Sequence, residues 1–157
     1  MNQEHLQQLI ADGLVAMKAG GRVAAAATDE IQQAASDPEL KSALEAGNET
    51  AKTWQTRIER ALGELGATGE GENPILEAHY QVSRKIRDTA QDEQVRDLGI
   101  IASGQLALHY WIAAFGTMKA YARQSGLGQT EQEMSRSVEE AKQADEQHTE
   151  IAARIMG

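Results

Sequence analysis

Asp145 and His148 are the one inward-facing carboxylate and imidazole pair spaced a single helical turn apart in this 157-residue chain. Such a pair supplies part of a metal site and needs further ligands from another helix before it holds an ion. The same spacing also suits a local hydrogen bond near a fraying terminus. His79 lies on an apolar face, where a backbone carbonyl is its expected partner. His109 falls one position off a core stripe and suits a helix or dimer interface, and His5 is expected to be exposed. No Ser-His-Asp arrangement, phosphate-cradling glycine loop or zinc-protease motif occurs, and Gly69-Glu70-Gly71 reads as a solvated loop. The expected catalytic set is therefore none, with no cofactor.

The elements that must position these residues are helical. Alanine and glutamine are abundant, aromatics make up 4%, and no alternating β-branched run reads as a strand. Asp37-Pro38 and Asn73-Pro74 each pair an N-cap with proline at the first helical position. A first helix over about Glu4–Ala35 carries Leu6, Ile10, Gly13, Met17, Gly20, Ala24, Ile31 and Ala35 on one stripe, and Gly20-Gly21 demands either a kink or close packing. The second, Pro38–Leu65, repeats Leu40, Leu44, Gly47, Ala51, Trp54, Ile58, Ala61 and Leu65, then stops at Gly66.

A loop over Gly66–Asn73 leads to a short helix from Pro74 to about Ala90 with Ile75, His79, Val82 and Ile86 on one face. The fourth helix, about Glu93–Gln124, aligns Ile101, Gly104, Leu108, Trp111, Phe115, Met118 and Ala122. A Thr130 and Glu133 capping box opens the last, whose inward face carries Met134, Val138, Ala141, Asp145, His148, Ala152 and Ile155. The expected fold is all-α: one domain over residues 1–157, an antiparallel four-helix bundle with an additional short helix between its two hairpins.

Composition narrows the partners. A net charge of −9, with 15 Lys and Arg scattered rather than clustered, disfavours nucleic acid and anionic membrane. The absence of cysteine removes thiolate catalysis, zinc-thiolate sites and disulfides. Met1-Asn2-Gln3-Glu4-His5 lacks a basic segment leading into an apolar run, so the cytoplasm is the expected compartment. From Leu98 to Met118, 21 residues pass without an Asp, Glu, Lys or Arg. Glycines, Ser103, Gln105 and His109 dilute that run, which favours a buried central helix over a membrane span.

From about Gly13 onward the chain resembles the bacterial ferritin-like stress proteins typified by YciE and YciF, a family of unknown function. The residues carrying the resemblance are Ala34-Ala35-Ser36-Asp37-Pro38-Glu39-Leu40-Lys41, Glu49-Thr50-Ala51-Lys52 with Arg57, Val95-Arg96-Asp97, His109-Tyr110 with Gly116-Thr117, and Glu140, Lys142, Asp145 and Glu146. The resemblance implies a ferritin-like bundle, a carboxylate-rich metal site between helices, dimerisation and an association with stress. It also implies acidic or amide ligands where this chain has Gly21, Thr50, Trp54, Leu108, Trp111 and Ala141. A di-iron site needs a glutamate from each of two helices and a Glu-x-x-His pair from each of the others. Three of the four inward stripes here hold no carboxylate.

The leading expectation is a non-enzymatic, self-associating homodimer of this group, with Trp54, Leu108 and Trp111 packed where ions would lie and Gly13, Gly20 and Gly21 making room for an indole. Ordinary core tryptophans in an unrelated bundle are the plainer account. Two other functions remain open: a metal-dependent oxidase or store using iron or manganese, with Asp145 and His148 as its candidate ligands, and a binder of a small apolar molecule in a cavity lined by the tryptophans. The sequence leaves open whether that central volume is filled.

Overall fold

The computed structural model describes all residues, Met1–Gly157, as five helices without a strand: α1 (Gln3–Ala34), α2 (Pro38–Glu64), α3 (Pro74–Thr89), α4 (Glu93–Gln124) and α5 (Gly128–Met156). Helix starts are fixed by side chains that accept the orphan amides of the first turn. Asp37 accepts from the Glu39 and Leu40 amides at 3.0 Å, Asn73 from Leu76 at 3.0 Å, and Asp92 from Val95 at 2.8 Å. Two ends use glycine with a positive φ: Gly66 at 61° and Gly126 at 71°. The amides after them, Ala67 and Leu127, reach back to the carbonyls of Leu62 and Ala122.

Helices α1, α2, α5 and α4 form a ring in that order, and α3 lies over α1 and α4. Adjacent ring members run antiparallel. On α2 and α5, for example, Glu64 meets Thr130, Arg57 meets Glu140, and Asp37 meets Arg154. Helix α4 is long and apolar enough to cross a membrane by length and composition, and here it packs against α1, α3 and α5. At the α1–α2 corner, buried Asp97 of α4 accepts the Ser36 and Asp37 amides, both at 2.8 Å, and so ties the first hairpin to the second.

Helix α1 runs unbroken through Gly20-Gly21, so close packing is what the glycines serve. A Cβ at Gly20 would lie 2.5 Å from Asn73 Nδ2 and 2.8 Å from Leu76 Cδ1. Asn73 cannot yield, because its amide also donates to the Ala16 carbonyl and the Tyr110 hydroxyl. Gly20→Ala is therefore expected to destabilise the fold by about 2 kcal/mol despite a helix-propensity gain of roughly 1 kcal/mol. Chemical denaturation reads the sign directly. No glycine of α1 faces an indole: Gly13 admits the Met118 thioether and Gly21 the Gln55 amide, which corrects the expectation.

Two other local expectations are corrected. The buried residues of α3 are Leu76, Ser83 and Arg87, whereas Ile75 and Val82 are exposed. Arg87 donates to Ser83 Oγ at 2.7 Å and to Glu30 at 3.1 Å, so a polar anchor and the Leu76 contact with Gly20 set the rotation of this helix. Thr130 and Glu133 form no capping box. Helix α5 begins three residues earlier than that box would place it, at Gly128, and its first amides are capped from α2, where Glu64 accepts from Gln129 N, Thr130 N and Thr130 Oγ1.

Burial pushes the Glu64 carboxyl up, but the hydrogen bonds from Thr130 and Gln129 outweigh it and hold it below its ordinary 4.5. A carboxylate lowered in the folded state contributes stability that is complete above its unfolded value and is lost as pH falls through the lowered one. Glu64→Gln is expected to flatten the fall of Tm below pH 4.5, as measured by calorimetry across pH.

Candidate functional site

The interior divides into two apolar clusters. One gathers Ile10, Leu14, Met17, Trp54, Ile58, Trp111, Phe115, Met134 and Ala141, and the other Ala35, Leu40, Ile100, Ile101, Ile151 and Ile155. Between them α1 has no buried residue from Gly21 to Ala34, and α2 has none from Leu44 to Thr53. The reason is side-chain size. At this level α1 presents Ala24, Ala25 and Thr28, α2 presents Gly47 and Ala51, α4 presents Gly104 and Ala107, and α5 presents Ala144. Small residues face small residues, so ring closure leaves a gap where interdigitation needs large against small.

That gap is a partly open cleft of about 870 Å³. Trp54 and Trp111 close one end, each 6% exposed, with ring centroids 5.9 Å apart and Phe115 behind them at 5.1 and 5.3 Å. Of the six positions singled out in the sequence, Trp54, Trp111 and Ala141 belong to the first cluster. Gly21, Thr50 and Leu108 line the cleft with the two indoles. Both tryptophans pack in the apolar core with Leu108 against it, and the cleft opens beside them.

Ionic groups beside the indoles are already engaged. Glu140 accepts from Trp54 Nε1 at 2.8 Å and from both terminal nitrogens of Arg57 at 2.7 and 3.0 Å. Burial raises the Glu140 carboxyl, but the Arg57 and Trp54 hydrogen bonds prevail and hold it below the usual carboxylate range. Arg57 also lies 3.4 Å from Glu133, within Coulomb range although not hydrogen-bonded.

Asp145 and His148 are not brought together. Asp145 accepts from or pairs with His109 at 3.1 Å, and His148 bonds the Ala144 carbonyl through Nδ1 at 2.7 Å, so the inward pair expected from their spacing is corrected. The two side chains sit at different angles around α5, and only His148 is fully buried. His109 and His5 are exposed. His79 meets the Tyr80 ring edge-on at 4.8 Å in place of a carbonyl, and burial lowers its imidazole while raising the Tyr80 phenol to about 12. No three His, Asp or Glu side chains converge. With Glu140 held by a guanidinium and an indole, the residues present do not fit a di-metal centre.

A family model described as a domain of unknown function, DUF892, matches residues 5–157. The chain belongs to this family. Protein YciF of Escherichia coli strain K12 is 29% identical over 77 residues, a stretch that spans 49% of this chain and 46% of YciF. The crystal structure of the E. coli stress protein YciF superimposes with a TM-score of 0.92 at 21% identity over 96% of each chain. YcfI from Rhodopseudomonas palustris gives 0.87 at 21% identity, covering 95% of this chain and 94% of that one. The fold is thus the ferritin-like helical bundle of these proteins. The sequence left open whether this volume was filled, although small residues recur at matching depth on all four ring helices.

Proposed function

We propose that this DUF892 protein is a non-enzymatic member of the stress-protein group that binds a small, largely apolar molecule in its mid-bundle cleft. The observation that carries the reading is the 870 Å³ gap between two separate cores, lined by small residues interspersed with polar ones such as Asn48 and Gln143 and bounded at one end by two indoles. A volume of this size matches small-molecule sites, which are concave, mostly apolar and largely preformed. The engaged state of Glu140, held by Arg57 and Trp54, supports a binding role.

Biphenyl, a rigid apolar rod, tests it through quenching of Trp54 and Trp111 fluorescence. Saturable one-to-one binding is expected in the unmodified protein, and Ala107→Leu, which plugs the cleft, should abolish it while the protein stays folded. No saturation, or binding unchanged by the plug, overturns the reading.

Self-association is a second reading, favoured by a specific surface. Ala102, Leu106, His109, Ala113, Thr117 and Ala120 form an exposed stripe on α4 without a formal Asp, Glu, Lys or Arg charge, and Leu106 is 65% exposed. An uncharged helix face of this length on a chain of net charge −9 suits burial against a second copy. Light scattering should give a dimer that Leu106→Lys converts to monomer. A monomer across micromolar concentrations overturns this reading.

A further inference from the structure

The cleft has two chemically different ends. Eight residues separate Ser103 from Trp111 on α4, and eight separate Glu140 from His148 on α5, which at 1.5 Å per residue places the polar end about 12 Å from the indoles. At that end Ser103 is 4% exposed, lines the cleft, and its Oγ has no hydrogen-bond partner. Buried hydroxyls on a helix commonly bond back to the carbonyl four residues earlier, as Ser137 does to Glu133. Ser103 does not, and an unsatisfied buried hydroxyl is unfavourable until something fills the role.

His148, 6% exposed, lines the same end. Its Nδ1 bonds the Ala144 carbonyl, an acceptor only, so Nδ1 carries a proton, and the tautomer this sets has its lone pair on Nε2. Gly104 lets that edge of the ring approach α4 closely: a Cβ there would stand 3.3 Å from Nε2. A single ligand hydroxyl satisfies both groups by donating to His148 Nε2 and accepting from Ser103 Oγ. Anionic ligands fit less well, because the cationic residues at the cleft are already paired, Arg22 with Glu70 and Lys52 with Glu49.

We propose that the cleft selects an elongated aryl alcohol without an anionic group, with its aromatic body against Trp54 and Trp111 and its hydroxyl between Ser103 and His148. This rests on the ligand-binding reading above and adds the class of ligand to it. The probes are biphenyl and 4-hydroxybiphenyl, which differ by one hydroxyl, titrated against the full chain. The hydroxylated probe should bind about tenfold more tightly. Ser103→Ala and His148→Leu should each remove most of that preference while leaving biphenyl affinity within about twofold. Ser103→Ala deletes one oxygen and leaves the helix intact, so it decides the matter even where the histidine variant disturbs packing. Equal affinity for both probes, or a preference that survives Ser103→Ala, overturns the assignment while the cleft-binding reading stands. Failure of both probes to bind overturns the two together.

Discussion

Phe115→Ala is expected to destabilise the protein by about 3–5 kcal/mol, against about 1 kcal/mol or less for Leu108→Ala two turns away on the same helix. Phe115 is fully buried and packs against Trp54 and Trp111. Its removal deletes a ring from a region where neighbours on every side are locked, so the void cannot collapse and its penalty adds to the lost transfer free energy. Leu108 is half-buried and lines the cleft, where part of its surface already lacks a partner. Truncating it enlarges a gap that exists. Equal losses in urea denaturation for the two variants would mean that mid-bundle is as tightly packed as the tryptophan end.

The second large effect belongs to Arg57→Met, expected to cost about 3 kcal/mol. Arg57 and Glu133 have side-chain exposures of 11% and 10%, and Glu140 is open at 35%. Methionine replaces the apolar stem of Arg57 but strips Glu140 of its guanidinium and leaves Glu133 with Arg60 alone at 3.2 Å, and a buried charge that loses its partner is strongly unfavourable. Water around Glu140 absorbs part of the loss, which places the expected value at the lower edge for such pairs. The triple variant Arg57→Met, Glu133→Gln, Glu140→Gln should recover most of the stability, since the one charge it leaves unpaired, Arg60, has a side chain 56% exposed to water. Thermal melts of the two variants side by side check both statements.

The backbone plan was readable because each helix announces its ends locally. Asp37-Pro38 and Asn73-Pro74 are caps within three residues of sequence, and Gly66 stops α2 through its own positive φ. What failed depended on partners far along the chain. The cap of α5 comes from Glu64, 66 positions before Thr130, and nothing near Thr130 encodes it. The rotation of α3 follows from Arg87 reaching Ser83 and Glu30, which outweighs the greater hydrophobicity of Ile75 and Val82. Whether the centre was filled or open stayed undecided for a related reason: Gly47, Ala51 and Gly104 sit on the inward stripes by spacing, and only their coincidence in depth on facing helices makes a hole. A stripe records which residues face inward. It does not sum their volumes across the ring.

A crystal structure of the purified protein, with anomalous data collected at the iron and manganese edges, tests the central claim most directly. The expected result is an open volume between the Trp54–Trp111 pair and His148, either solvent-filled or holding density for an organic molecule, with Glu140 still clasped by Arg57 and no anomalous peak. Indoles swung inward to close that volume, or a metal peak ligated by Glu140 or His148, would contradict it.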